Sequence, residues 1–157
     1  MFRKVLFPTD FSKGSIRAIQ RFEKENTAEV EECILLHVID EGYIEDLLNG
    51  YSFMYESEKK EMNDVVSRAK ENAIKALKER EEEYGRMLRA KRVRSVVRIG
   101  IPYEEIVKFA DDENVSMILL PSHGKLGYSK ELLGSTTIRV LRRTKRPVLI
   151  IKTHEED

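Results

Sequence analysis

The sequence predicts a single α/β domain with a five-stranded parallel sheet and helices on both faces. Five short apolar runs alternate with segments whose apolar residues recur at helical spacing. Such alternation of strands and helices is typical of a parallel sheet. Residues 33–39 are apolar at consecutive positions apart from His37, which indicates a strand buried on both faces. A chain of 157 residues suits one domain of this type.

Composition indicates a globular chain and argues against several classes of partner. Hydrophobic residues make up 41% of the chain and charged residues 36%, and 28 basic residues balance 28 acidic ones. This balance favours neither nucleic acid nor an anionic membrane as partner. Cys33 is the only cysteine, so the chain has no internal disulfide and no cysteine-based metal site. No apolar run approaches the ~20 residues of a membrane-spanning helix, and we expect a cytoplasmic protein.

A short apolar run and a serine cap mark the first strand and the first helix. Residues 5–7 are apolar and are followed by Pro-Thr-Asp at residues 8–10. Ser12 or Ser15 then provides the N-cap of a helix whose apolar residues recur at helical spacing.

After the second strand, residues 40–55 leave two interpretations open: a short helix and loop packed on the core, or a lid or partner surface.

A long charged helix and a more exposed strand occupy the middle of the chain. An apolar stripe within residues 56–90 predicts one long helix. The stripe consists of Met62, Val65, Val66, Ala69, Ala73, Ala76 and Leu77. Alternation of apolar and charged residues over 93–99 predicts a strand near the sheet edge. Gly100 ends this strand, and Pro102 begins a helix that ends near Asn114.

Residues 117–137 combine a buried strand, a glycine-containing loop and a Ser/Thr-rich helix start. The apolar run ends at Pro-Ser-His-Gly, and Gly-Ser-Thr-Thr at residues 134–137 opens a helix that ends near Arg143. Helical spacing predicts that Ile138 and Leu141 face inward, with Val140 a weaker third candidate. Free N–H groups and the positive end of the helix dipole make such a helix start an anion site. We therefore expect it to hold the phosphates of a nucleotide.

Three strand ends are predicted to meet in one crevice. Right-handed crossovers place the first and fourth strands side by side, where the direction of winding reverses. Ligands bind at this reversal, outside the carboxyl ends of the strands. Residues 8–10, 38–40 and 121–124 all follow strand ends at this edge.

Residues 148–151 form the last strand, and its apolar edge invites pairing with another chain.

These segments together resemble the nucleotide-binding branch of the universal stress protein family. The similar runs are Val-Leu-Phe-Pro-Thr-Asp-Phe-Ser at 5–12, Leu-Leu-His-Val at 35–38, Gly-Ile-Pro at 100–102, Ser-His-Gly at 122–124, Leu-Gly-Ser at 133–135 and Pro-Val-Leu-Ile-Ile at 147–151. They span nearly the whole chain. The resemblance implies a Rossmann-like, adenine nucleotide α-hydrolase-like domain over residues 1–153 with strand order 3-2-1-4-5, followed by a polar tail at residues 154–157.

The family's nucleotide motif is matched at all but one of its marked positions. It reads Gly, two residues, Gly, nine residues, Gly, then Ser or Thr. Gly124, Gly134 and Ser135 match it, and Pro121 stands at the first glycine. Gly124 lets the backbone approach a ligand closely because it has no Cβ.

The resemblance implies a sensor or interaction module of the stress response that binds ATP, with or without Mg²⁺. The nucleotide-binding residues implied by similarity are Pro8, Thr9, Asp10, Val38, Leu120, Pro121, His123, Gly124, Gly134, Ser135, Thr136 and Thr137. Among them, Asp10 and Val38 would meet the adenine, and the residues from Gly134 onward would hold the phosphates. The resemblance also implies a homodimer through the last strand, Val148, Leu149, Ile150 and Ile151. It implies no catalytic residue and at most slow ATP hydrolysis.

Several residues allow a second interpretation. Proline has no N–H and cannot adopt a positive φ, so Pro121 leaves open a dimeric protein of the same fold that binds no nucleotide. Asp10 alternatively caps the loop or the first helix. His37 is expected to be a satisfied core residue. A triad of Ser122, His123 and Asp10 is not supported, because adjacent side chains on one loop cannot easily face each other.

Overall fold

The computed structural model describes residues 1–49, 56–122 and 133–152. The strands are β1 (Phe2–Pro8), β2 (Val30–Asp40), β3 (Ala90–Gly100), β4 (Met117–Pro121) and β5 (Val148–Ile151). The helices are α1 (Lys13–Glu25), α2 (Glu41–Asn49), α3 (Glu56–Met87), α4 (Pro102–Asp112) and α5 (Ser135–Arg143). All the predicted helices and strands are present, and β1, β2 and β3 begin several residues earlier than the apolar runs suggested. Among the described residues, no helix is both long enough and apolar enough to cross a membrane.

The five strands form one parallel sheet in the order β3-β2-β1-β4-β5, which confirms the predicted fold class. The chain winds outward from β1 in one direction through β2 and β3, and in the other through β4 and β5. Phe7 of β1 is in register with Leu35 of β2, and Leu6 is in register with Ile118 of β4. The carboxyl ends of β1 and β4 are therefore neighbours at the point where the winding reverses.

Both faces of the sheet are covered by helices. On one face, α1 and α3 pack through Phe7, Ile19, Phe22, Leu35, Leu77, Tyr84 and Leu119. On the other, α4 and α5 pack through Leu6, Ile34, Leu36, Ile106, Phe109, Ile118 and Val140. Alternate residues of each central strand supply the two cores, because successive side chains point to opposite faces.

The inward face of α5 differs from the expected one. Leu141 is 38% exposed, whereas Thr137 and Val140 are buried and Ile138 is half-buried. The prediction for Leu141 was therefore wrong. The Thr137 hydroxyl donates a hydrogen bond to the Pro121 carbonyl at 2.9 Å, so a polar residue turns toward the sheet. The buried side of α5 is therefore formed by Thr137 and Val140 with Ile138 beside them, and Leu141 lies outside it.

The described side chains of α3 differ in burial along the helix. The helix is roughly 48 Å long by the rise of an α-helix, longer than the strands that it covers. Val65, which belongs to the predicted apolar stripe, is 46% exposed, whereas Ala73 and Leu77 are buried. Among the stripe residues from Val65 to Leu77, whose side chains the structure describes, the buried ones are Ala73 and Leu77.

The segment at residues 40–55 contains α2, a short helix that contacts β2 and β3. The Asp40 carboxylate accepts a hydrogen bond from the Gly42 N–H at 2.8 Å and so starts the helix. Tyr43 is 60% exposed. Residues 50–55 lie outside the described residues, and the choice between a packed segment and a partner surface stays a prediction.

A network of charged side chains joins the amino edge of the sheet to the end of α4. Glu113, the C-cap residue of α4, accepts hydrogen bonds from Arg94 Nη2 at 2.9 Å and from Lys4 Nζ at 3.3 Å. The hydrogen bond from Arg94 is the main cause that lowers the pKa of Glu113, and Lys4 adds to it. A carboxylate at the negative end of a helix dipole is otherwise unfavourable, so the two cations stabilise it there.

Replacing Glu113 with Gln is expected to lower the free energy of unfolding by about 1 kcal/mol at neutral pH. The pKa of Glu113 is lower in the folded chain than in the unfolded one. The stabilisation is therefore present above the unfolded pKa and is lost as the pH falls through the folded value. Urea titrations of both proteins at neutral pH and near pH 3 measure this, and the difference should be smaller in acid. An equal difference at both pH values would contradict the assignment.

Candidate nucleotide-binding site

The carboxyl edge of the sheet brings together the residues after β1, the end of β4 and the start of α5. The Thr9 N–H donates to the Leu36 carbonyl of β2 at 2.8 Å, which holds the chain beside β2 as it leaves β1. On the other side, the Ser122 N–H donates to the Ile151 carbonyl of β5 at 2.8 Å, and the Gly134 N–H donates to the Ser122 carbonyl at 2.7 Å. The start of α5 is thus tied directly to the end of β4.

The turn after β1 is built around Asp10. Its Oδ1 atom accepts hydrogen bonds from the Ser12 N–H at 2.9 Å and from the Ser15 hydroxyl at 3.1 Å. Ser12 is the N-cap residue of α1, and its hydroxyl accepts from the Ser15 N–H. Asp10 therefore has the capping role that the sequence left open. Its Oδ2 atom makes no hydrogen bond with any described residue, so one carboxylate oxygen remains able to accept from a ligand.

The start of α5 has the features of an anion site. Gly134 is the N-cap residue and makes no side-chain capping hydrogen bond, so the first N–H groups of the helix have no side-chain partner from that position. Ser135 and Thr136 are exposed, and Thr137 is buried with its hydroxyl on the Pro121 carbonyl. A phosphate at this point would meet free N–H donors, two exposed hydroxyls and the positive end of the dipole.

Pro121 is accommodated in β4 without a lost hydrogen bond to β5. Ile118 N–H donates to the Pro147 carbonyl and Ser122 N–H to the Ile151 carbonyl, so the even-numbered residues of β4 direct their backbone groups toward β5. The N–H and C=O groups of successive residues in a strand point to opposite neighbours, so the backbone groups of Pro121 point toward β1. The register between β1 and β4 extends only to Leu6 and Ile118. The missing N–H therefore leaves the sheet intact.

His37 of β2 contacts the turn after β1, and Phe11 lies within that turn. His37 Nδ1 lies 2.8 Å from the Thr9 carbonyl, which can only accept, so Nδ1 carries a proton and donates. The histidine is half-buried, and this bond fits its expected role as a satisfied residue. Phe11 has a φ of 62°, a left-handed conformation that costs a bulky residue on the order of 1–3 kcal/mol. Sequence reasoning missed Phe11, because no local pattern signals this conformation.

The remaining predicted residues are placed as follows. Pro8 ends β1, Val38 lies near the end of β2, and Leu120 is buried in β4. His123 and Gly124 lie outside the described residues.

Within residues 1–49, 56–122 and 133–152, no group of His, Cys, Asp and Glu is arranged to hold a metal ion. Cys33 is buried, and burial raises the pKa of its thiol far above the usual range.

Comparisons with known proteins agree with this architecture. Universal stress protein MJ0577 of Methanocaldococcus jannaschii is 37% identical over 160 aligned residues, which cover 97% of this chain and 96% of the relative. The crystal structure of a hypothetical protein, PH0823, is 54% identical, has a TM-score of 0.84 and is matched over the full length of both chains. A universal stress protein solved in complex with cAMP is 23% identical, with a TM-score of 0.54 and 98% of each chain covered, which is a likeness of fold alone.

The sequence model of the Universal stress protein family matches residues 1–152, nearly the whole chain. The match includes the turn after β1, the end of β4 and the start of α5, which form the candidate site. The order of the strands, the two helical layers and the relatives all agree with it. The chain belongs to the universal stress protein family.

Proposed function

We propose that the chain binds an adenine nucleotide, with ATP the first candidate, at the carboxyl edge between β1 and β4. In this proposal the protein is a sensor or interaction module: the bound nucleotide alters a surface that a partner protein recognises. The start of α5, which lacks a side-chain cap and is tied to the end of β4, carries the proposal. A universal stress protein with the same fold has been solved with cAMP, which supports adenine nucleotides as the ligand class.

The phosphate end of the ligand is assigned to the first turn of α5. Ser135 and Thr136 are exposed there, and the N–H groups of the turn point outward from the helix end. Thr137 contributes indirectly, because its hydrogen bond to the Pro121 carbonyl fixes the turn against the sheet. These groups suit an anion without any rearrangement of the described backbone.

The adenine end is assigned to Asp10 and Val38. The Leu36 carbonyl bonds to the Thr9 N–H on the side of β1, and backbone direction alternates along β2. Val38 therefore directs its N–H and carbonyl to the same side, where β1 has already ended. One backbone donor, one backbone acceptor and Asp10 Oδ2, which no described residue bonds, suit the edge of an adenine, which carries an amino group beside a ring nitrogen.

Replacing Pro121 with Gly is expected to tighten ATP binding by up to about tenfold, because glycine restores one N–H donor and removes a ring beside the crevice. Calorimetric titration of both proteins measures this. If the glycine variant binds ATP and the parent does not, the alternative in which Pro121 blocks the site is favoured. Equal affinities would show that the proline ring does not touch the ligand.

Titration of the parent with ATP, with and without Mg²⁺, and with AMP tests the proposed ligand class. We expect saturable binding of both nucleotides, with ATP tighter because its additional phosphates reach α5. No detectable heat at millimolar ligand for either nucleotide would contradict the proposal.

We further propose that the chain forms a homodimer through β5. β5 is the sheet edge beside β4, and its residues Val148, Leu149, Ile150 and Ile151 are all half-buried. An apolar strand with one unpaired edge pairs readily with a second copy of itself. A two-fold dimer of this kind would extend the sheet across the two subunits and leave both carboxyl edges open.

A further inference from the structure

The backbone conformation of Phe11 needs an explanation beyond the turn in which it lies. Phe11 is one of three described non-glycine residues with a positive φ, beside Arg89 and Asn114. Its position is directly after Asp10, the residue assigned to the adenine, and directly before Ser12, the cap of α1. A large aromatic residue adopts this conformation only where its surroundings hold it there.

Two side chains hold the Phe11 ring. The His37 ring lies 4.6 Å away between centroids and is tilted by 41°. The Arg80 guanidinium carbon lies 5.0 Å from the ring centroid, within the range of a cation–π contact. The backbone is fixed as well: the Phe11 N–H donates to the Thr9 hydroxyl at 3.1 Å, and His37 donates to the Thr9 carbonyl.

Arg80 is itself anchored on α3. Its Nη1 atom donates to the Ala76 carbonyl at 2.8 Å, one turn earlier in the helix. Burial raises the pKa of the Tyr84 phenol, and the Arg80 charge and hydrogen bond oppose that rise, so Arg80 also interacts with the next turn. Tyr84 and Leu77 are buried in the core, which fixes this part of α3. The turn after β1 is therefore clamped to a rigid part of the fold.

We propose that the stack of Arg80, Phe11 and His37 is a positioning device that holds Asp10 for adenine and so sets a preference for adenine over guanine. This inference rests on the proposed nucleotide site. Adenine presents an amino donor at its six position, which a carboxylate accepts, whereas guanine presents a carbonyl there. Discrimination of this kind requires that Asp10 Oδ2 stays in one place, because a mobile carboxylate can move away from the carbonyl.

Replacing Arg80 with Gln is expected to raise the Kd for ATP about fivefold while changing the Kd for GTP by less. The preference for ATP, measured as the Kd for GTP divided by the Kd for ATP, should therefore fall. The ratio is the informative quantity, because a partly unfolded variant would weaken both ligands equally. The matched control is Arg68→Gln, which removes an exposed charge from the same helix away from Phe11. Arg80→Lys keeps a cation over the ring and should restore most of the preference.

A double-mutant cycle with Phe11→Leu tests whether Arg80 acts through the ring. If it does, Phe11→Leu with Arg80→Gln should lower the ATP/GTP preference no further than either change alone. Additive losses, or an unchanged ratio in Arg80→Gln, would overturn the inference while leaving the nucleotide site in place. A parent that binds neither ATP nor GTP would overturn both the site and the inference.

Discussion

Replacing Thr136 with Glu is expected to weaken ATP binding about a hundredfold and, at the same time, to stabilise the fold slightly. Thr136 is exposed in the first turn of α5, where the phosphates are assigned. A carboxylate there would repel a phosphate by about 3 kcal/mol for unit charges ~5 Å apart at an effective dielectric constant of ~20. That energy corresponds to roughly a hundredfold in Kd.

The opposite sign of the stability change makes this prediction specific. A negative charge at a helix N-terminus interacts favourably with the dipole, by about 0.5 kcal/mol. In a chain of this size that gain corresponds to a rise of about 1–2 °C in melting temperature. A variant that loses its ligand because it is damaged would instead melt earlier.

The matched control for this experiment is Thr136→Gln, which adds similar bulk without charge. Its affinity for ATP should stay within about threefold of the parent, since only one hydroxyl is lost. Calorimetric titrations and thermal melts of the three proteins give both readouts. If the Glu variant binds ATP as tightly as the parent, the phosphates do not lie at α5.

Replacing Ile150 with Pro is expected to dissociate the proposed dimer while leaving the subunit folded. The carbonyls of Pro147 and Ile151 face β4, so by alternation Val148 and Ile150 direct their backbone groups to the free edge. A proline at 150 removes an outward N–H from each subunit. Two lost hydrogen bonds of about 1 kcal/mol each raise the dimer dissociation constant roughly thirtyfold.

Leu149→Pro provides the contrasting variant. Leu149 is in register with Leu119, and its backbone faces β4, so a proline there breaks the ladder inside the subunit. We expect this variant to lose stability, whereas Ile150→Pro should keep most of it. Sedimentation equilibrium and urea titration separate the two effects. A parent that sediments as a monomer at micromolar concentration would exclude β5 as a stable interface.

The parallel sheet could be predicted because strands and helices alternate regularly. Right-handed crossovers placed the first and fourth strands side by side, and the full strand order followed from the resemblance to the universal stress protein family. The bounds of α5 were also predictable, since Gly134 and Pro147 enclose it. The starts of two helices could also be predicted, because Ser12 was one of two candidate caps of α1 and Pro102 is the first residue of α4. These features are local or follow from general rules of chain topology.

Features that depend on contacts between distant parts of the chain could not be predicted. The buried side of α5 is set by the bond from Thr137 to the Pro121 carbonyl, and hydrophobic spacing carries no sign of it. The stack of Arg80 on Phe11 joins two segments that only the folded sheet brings together. Arg80 belongs to a charged run that, by sequence alone, indicates a solvated helix face.

The most direct test of the nucleotide site is a titration of the isotope-labelled protein with ATP, followed by NMR at each backbone amide. The proposed site predicts that the largest shifts fall on Ser135 and Thr136 at α5, on Asp10 after β1 and on Val38 of β2. The amides around Glu113, at the opposite edge of the sheet, should not move. Saturating ATP that leaves the α5 amides unchanged, or that shifts only the opposite edge, would contradict the site.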